Sequence, residues 1–237
     1  MAEKVIGILG GMGPEATLDC FKKIIKNTPA EKDQDHLRIL VDCNPKVPDR
    51  TAAICKNGES PVPILLDGAY KLAQAGADFI IIPCVSAHFF LNELRRQIHI
   101  PILSIIDAVT QAVHEENPPI QSVGLLATTG TVQGGLFQNR LKQNKTDTII
   151  PDKWDQDKVM DGIYQIKATQ VRDRREKIRI QLLKVANSLI KKGAQGIIAG
   201  CTEVPLAMGP EDFQVPFFNP LLILARAAIR EAGRNPK

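Results

Sequence analysis

Short apolar runs separated by longer mixed stretches set the rhythm of this chain. Runs at residues 4–9, 37–42, 79–83, 121–127 and 196–199, with shorter ones at 102–105 and 216–218, predict strands. Between them, residues 14–27, 63–75, 87–97, 107–116, 132–142, 171–192 and 221–231 predict helices. Proline and glycine mark the joints, as in NPKVPDR and KNGESPVP. Apolar strands alternating with helical stretches are the sequence form of βαβ units around a parallel sheet, so the predicted class is α/β.

Sliding the chain against itself exposes an internal repeat. VIGILGGMGPEA aligns with SVGLLATTGTVQ, bringing Gly7, Leu9 and Gly13 onto Gly124, Leu126 and Gly130 at an offset of 117. The same offset carries AGADFIIIPCVS onto KGAQGIIAGCTE, where Gly76 meets Gly193, Ile80 and Ile81 meet Ile197 and Ile198, and Cys84 meets Cys201 (201 − 84 = 117). Two equivalent α/β halves are therefore expected, divided as residues 1–103 plus 210–237 and residues 104–209. Shared apolar strands and glycine turns explain the isoleucines and some of the glycines. They do not explain a cysteine in each half at the C-terminal end of a strand, where open parallel sheets place ligand-binding and catalytic groups. A lone cysteine there is more often a small buried hydrophobe; two at matching positions point to chemistry.

Composition narrows that chemistry. The 237 residues are 44% hydrophobic and 24% charged, the balance of an ordinary globular chain, and the net charge is only +4. In the densest basic stretch, VRDRREKIR, Asp173 and Glu176 lie among the cations, which suits a solvated helix face better than a nucleic-acid surface. No apolar run approaches the roughly 20 residues of a membrane helix, and MAEK leads directly into the first strand without a secretory signal. The expected location is the cytoplasm, with no membrane or nucleic-acid partner. Five cysteines without C-x-x-C spacing are then expected to be thiols, and the scattered histidines form no metal motif.

Two thiols that approach one carbon from opposite sides can move a proton across it. One, as thiolate, removes an α-hydrogen while the other, still protonated, delivers a hydrogen to the opposite face, and the roles exchange in the reverse direction. A free thiol has a pKa of about 8.5, close enough to neutrality for its surroundings to tune it for either role. The cysteines each precede an expected helix start, whose N–H groups favour a thiolate or a carboxylate.

In order and spacing, GILGGMGPEAT, NPKVPDRT, PCVSAH, GLLATTGT, IYQIK and GCTEVPL resemble the cofactor-independent aspartate/glutamate racemase family, most closely its aspartate racemase branch. The resemblance runs from Gly7 to the C-terminal LARAAI. It implies two pseudo-symmetric Rossmann-like domains with the active site in the cleft between them, a homodimer, a small acidic amino acid as substrate, and no cofactor. It also implies that Cys84 acts on the D enantiomer and Cys201 on the L enantiomer. Arg50, followed by Thr51, matches the position that holds the side-chain carboxylate of aspartate, and Lys167 matches a second cationic ligand. Ser86 and Thr202 are expected to offer hydroxyl or N–H groups to the substrate, although short polar residues also cap helices at such places. Thr128 and Thr129 lie at a strand end facing the expected cleft, and the glycine turn brings the backbone of Met12 and Gly13 toward the substrate. His88 and Glu203 are candidates for a supporting role, each with a purely structural alternative: helix packing for the first, a favourable dipole position for the second.

Two departures from the family pattern stand out. Val85 replaces the asparagine of PCNT, which removes an amide donor and acceptor beside Cys84 and leaves substrate breadth open between aspartate, glutamate and other amino acids. Asn219 and Leu221 stand where the branch often has an aspartate and a threonine. Two other readings remain. Gly11, Gly13 and Ala16 fit a dinucleotide fingerprint with Asp42 as the ribose acid, which would make a nucleotide-dependent oxidoreductase, and a two-lobed acid-binding protein would need no chemistry. Neither accounts for the repeated cysteines.

Overall fold

A computed structural model describes residues 3–168 and 175–237. Within it the chain divides into two compact units, Met1–Ala108 with Leu221–Lys237, and Val109–Pro220. The first holds β1 (Ile6–Gly10), α1 (Pro14–Asn27), β2 (Ile39–Cys43), α2 (Arg50–Cys55), α3 (Val62–Gln74), β3 (Phe79–Ile81), α4 (Leu91–Gln97) and β4 (Ile102–Leu103). After α5 (Ile105–His114), the second holds β5 (Ser122–Leu125), α6 (Thr129–Gln133), α7 (Leu136–Gln143), β6 (Asp147–Ile149), α8 (Lys153–Lys167), α9 (Arg175–Lys191), β7 (Ile197–Ile198) and β8 (Phe217–Phe218). The chain returns to the first unit through α10 (Pro220–Glu231).

Each unit has its own four-stranded parallel sheet, in the order β2-β1-β3-β4 and β6-β5-β7-β8. The order is the same when each strand is matched to its repeat partner. The register repeats too, for Gly7 lies opposite Ile80 and Gly124 opposite Ile197, both pairs related by the 117-residue offset. The outer strands do not keep it: Ile80 pairs with Ile102, whereas Ile197 pairs with Phe217. The offset thus belongs to the central strand pair and the helix leading into its second strand. That helix ends alike in both halves. Gly76 and Gly193 take positive φ of 94° and 103°, while Ala77 N–H donates to Leu72 O and Ala194 N–H to Leu189 O, so that a left-handed glycine closes each helix before its strand.

Gly7 and Gly124 serve a different need, since neither is at a turn. A Cβ on Gly7 would come within 3.0 Å of Ala77 Cβ, and one on Gly124 within 2.7 Å of Ile197 Cδ1. The inner strands β1, β3 and β7 are buried throughout and β5 apart from Ser122, and side chains of each sheet and its helices form a separate apolar cluster, one around Leu9, Leu65, Ile80 and Leu94, the other around Leu126, Ile163, Leu182 and Ile197.

Several elements differ from expectation. The segment 87–97 opens as a 3-10 turn, Ser86–Phe90, before α4 begins. The segment 132–142 is two helices, because Gly134 ends α6 and Gly135, at φ 63°, turns the chain into α7. The predicted start of the 171–192 helix lies outside the described residues up to Arg174, and α9 runs on from Arg175. β6, α2 and α8 were not expected. α8 starts with Asp152 accepting the Asp155 N–H at 3.0 Å, and Gly162 lets it lie against Ile178 and Leu182 of α9.

Candidate functional site

Each cysteine lies three residues beyond the last paired residue of its inner strand, Ile81 of β3 or Ile198 of β7. Both are buried, each within its own unit's apolar cluster. Instead of α-helices, short 3-10 turns follow, Ser86–Phe90 and Val204–Leu206.

In the first unit, Cys84 Sγ lies 3.5 Å from Ser86 Oγ. The backbone at this point is fixed by His88, whose Nε2 accepts the Ile105 N–H at 3.1 Å while its Nδ1 lies 2.9 Å from the Cys84 carbonyl oxygen. A ring nitrogen that accepts from an amide carries no hydrogen, so Nδ1 bears it and donates to Cys84. His88 therefore spends both nitrogens on backbone and does not reach the thiol as a base.

Burial pulls the His88 imidazole down from 6.5 to about 4, against the opposing pull of the Cys84 and Leu103 carbonyls. The unfolded chain takes up this proton first as pH falls. Stability present above the unfolded value is consequently lost through the window down to the folded one, by about 3 kcal/mol over its whole width. Urea unfolding of the wild type should thus show a lower free energy at about pH 5 than at pH 7, and His88→Gln should flatten that difference. An equal slope in both proteins would remove His88 as its source.

Arg50, at the start of α2, is buried with its guanidinium folded back on the chain. Nη1 donates to Val47 O at 3.1 Å and Pro48 O at 2.9 Å, and Nη2 to Met12 O at 3.4 Å. Among the described residues, the buried Nε has no hydrogen-bond partner. This ties the glycine turn after β1 to α2, which itself packs against the 3-10 turn after Cys84. The turn leaves no room for a side chain at Gly11, where φ is +94° and a Cβ would meet Asn44 backbone atoms at 2.3 Å. Met12, Val85 and Ser86 are buried, as is Thr51 on α2, and Gly13 is half-buried. Asp42 turns its carboxylate onto α3, where a Cβ on Gly68 would lie 2.3 Å from Oδ2.

The second unit surrounds its thiol differently. Cys201 Sγ–H donates to Glu203 Oε2 at 2.9 Å, and Thr202 Oγ1–H donates to the same oxygen at 3.2 Å. The other carboxylate oxygen, Oε1, lies 3.8 Å from Lys167 Nζ at the end of α8. Glu203 is almost wholly buried, while about a quarter of the Lys167 side chain meets solvent. Burial raises the Cys201 pKa well above the ordinary thiol value of 9.0, the Glu203 carboxylate adds to the rise, and Lys167 opposes it. Under the repeat, Glu203 occupies the position of Ser86 (203 − 86 = 117), so the two thiols face a carboxylate and a hydroxyl at matching sites.

Thr128 caps α6, its Oγ1 accepting the Thr131 N–H at 3.2 Å. The Thr129 N–H points at Met160 Sδ, 3.0 Å away, and Gln156 Nε2 donates to Ala127 O at 3.0 Å and reaches Thr129 Oγ1 at 3.4 Å. Gln156 Oε1 is buried and has no partner among the described residues. Neither Gln156 nor Met160 stands out in the sequence, because α8 carries little apolar pattern; the Asp152 cap three residues ahead of Asp155 is the available signal. Among the described residues, no three His, Cys, Asp or Glu side chains gather as a metal site would require, and no helix is long and apolar enough to cross a membrane.

The model of the family described as Asp/Glu/Hydantoin racemase matches residues 9–228. The broad specificity amino-acid racemase RacX of Bacillus subtilis (strain 168) is 27% identical over 231 residues, covering 95% of this chain and 96% of that one. Among solved structures, the Picrophilus torridus aspartate racemase superposes with a TM-score of 0.88 at 32% identity, over 99% of this chain and 96% of the other. A glutamate racemase from Francisella tularensis subsp. tularensis SCHU S4, solved in complex with D-glutamate, shares the fold at a TM-score of 0.67 and 16% identity, over 98% of this chain and 83% of that one.

Proposed function

The chain belongs to the Asp/Glu/Hydantoin racemase family, and from that premise we propose that it interconverts L- and D-aspartate without pyridoxal phosphate, by a two-base mechanism in which Cys84 and Cys201 are the proton carriers. The observation that carries this reading is the placement of both thiols, three residues past the ends of the inner strands, at matching points of the repeat. The mechanism requires both sulfurs to reach opposite faces of one α-carbon. Cys201 takes the α-hydrogen of the L enantiomer, Cys84 supplies a hydrogen to the other face, and the next turnover in the same direction requires solvent exchange to restore the starting protonation. In the D-to-L direction the two exchange roles.

Arg50 is the candidate for the substrate's side-chain carboxylate, for its Nε is buried and unpaired among the described residues while the rest of the guanidinium is anchored. The guanidinium's planar edge suits a carboxylate better than a point charge does. In this reading Thr51, the backbone of Met12 and Gly13, Val85 and Ser86 line the substrate site in the first unit, and Thr128, Thr129, Lys167 and Thr202 in the second. His88 holds the Cys84 backbone, and Glu203 governs the Cys201 proton.

A second reading, racemisation of a wider set of amino acids, draws support from Val85, an apolar side chain beside Cys84, and from the broad specificity in the name of the Bacillus relative. Incubation with L-aspartate in deuterated water, with no pyridoxal phosphate, should yield D-aspartate carrying deuterium at the α-carbon. A panel of amino acids in the same assay separates the two readings. Failure of every member to exchange or invert would defeat both.

A further inference from the structure

β2 is an edge strand, with β1 on one side and, among the described residues, no strand on the other. Ile6 N–H donates to Arg38 O at 3.1 Å, so Arg38, Leu40 and Asp42 turn their backbone groups toward β1, and the N–H and C=O groups of Ile39 and Val41 point outward. The edge strand of the other sheet, β6, is protected: it has three residues, with Lys145 and Pro151 close on either side. β2 has five, with no lysine or proline among them. Apolar side chains border the open edge. Val41 is 45% exposed, and beside its buried face α1 carries a stripe of Leu18, Phe21 and Ile25, with Leu18 60% exposed. Phe21 and Ile25 line one groove with Leu37 and Ile39, which sets that stripe on the β2 side of α1. On the opposite face of the strand, Arg38 is exposed and Asp42 lies toward α3, where Lys71 is a nearby cation.

We propose that two copies of the chain join at this edge, β2 pairing antiparallel with β2 of the second copy about a twofold axis at Leu40. Read outward from Leu40, the strand is its own complement: Ile39 and Val41 are apolar on either side, and Arg38 and Asp42 beyond them carry opposite charges. Hydrogen bonds close only where outward-pointing groups meet outward-pointing groups, and among such registers the one centred on Leu40 also sets each Arg38 opposite an Asp42. Ile39 then exchanges backbone bonds with Val41 of the second copy, and the two Leu40 side chains meet at the axis. The same axis, perpendicular to the sheet, brings α1 beside its own copy. α1 connects β1 to β2 and lies above them, so with strands about 4.8 Å apart the two helices come within about 10 Å, the spacing at which helices pack. Leu18, Phe21 and Ile25 are covered there, and the two sheets become one. A strand from an unrelated protein could add to the edge but would have no use for its symmetry about Leu40. The homodimer that the family resemblance implies thereby gains a defined face, and this face does not depend on the racemase reading.

Light scattering of the full chain at micromolar concentration should give a dimer for the wild type and a monomer for Val41→Lys. Circular dichroism of the two should match, because Val41 is at the surface of the folded subunit and a lysine there blocks only the edge. Arg38→Glu should raise the dimer dissociation constant about tenfold, since two attractive cross-strand pairs per dimer become repulsive. The register is read by crosslinking in a Cys43→Ser background, which removes the exposed native thiol of this strand. Leu40→Cys should form an intersubunit disulfide under mild oxidation, its two copies lying about 4.5 Å apart at Cα, whereas Val41→Cys should stay uncrosslinked. A Val41→Lys protein that folds and remains dimeric, or crosslinking through Val41→Cys in place of Leu40→Cys, overturns the proposal. So does a monomeric wild type, including one that takes up a strand from a different protein at this edge.

Discussion

Replacing either Cys84 or Cys201 by Ala is expected to reduce aspartate racemisation by at least about a thousandfold, the scale on which a positioned proton carrier acts. The fold should survive, because each change removes one sulfur atom from a cluster of larger apolar side chains, a truncation that costs about 1 kcal/mol. The distinctive result lies in what remains. With Cys201 gone, Cys84 can still remove a hydrogen from D-aspartate and return a solvent deuteron to the same face, giving labelled D-aspartate and no L. With Cys84 gone, the same holds for L-aspartate. Chiral chromatography coupled to mass spectrometry reads both quantities, and full racemisation by either variant would rule out the pair of bases.

Arg50→Lys is expected to raise KM for aspartate about thirty- to a hundred-and-fiftyfold, the loss of one charge-assisted contact worth roughly 2–3 kcal/mol, with a smaller effect on kcat. Three backbone carbonyls, those of Met12, Val47 and Pro48, hold the guanidinium in place. A lysine has one nitrogen with which to satisfy them and no planar edge left for a carboxylate. The comparison that isolates the role is alanine as substrate, since it lacks the side-chain carboxylate. Discrimination between aspartate and alanine should collapse in the variant. An unchanged ratio of kcat/KM for the two would return Arg50 to a purely structural place.

The central strands and both cysteines were legible in the sequence for one reason: burial on both faces of a parallel sheet demands apolar runs, and a duplicated unit writes the same run twice. The offset that aligned Gly7 with Gly124 is the register of the two sheets. β6 was not legible, because TDTII at an edge carries too few apolar residues to stand out against its surroundings. α8 was hidden for a related reason: its first two turns, KWDQDK, are nearly all polar, and its packing side relies on Gly162, which contributes no hydrophobic signal. With α8 went Gln156 and Met160, and also the pairing of Lys167 with Glu203. From sequence, Lys167 and Glu203 were independent candidates 36 positions apart (203 − 167). Only the end of α8 lying beside the loop after β7 makes them partners.

The unlike neighbours of the two thiols, Ser86 for one and Glu203 for the other, carry a thermodynamic consequence for a racemase. L- and D-aspartate have equal free energies in water, so at equilibrium the mixture is even and kcat/KM must be identical in the two directions. An enzyme with a carboxylate beside one base and a hydroxyl beside the other cannot spend that asymmetry on favouring a product. It can express it only as unequal turnover numbers matched by equally unequal Michaelis constants, one enantiomer held more tightly and converted more slowly than its mirror image.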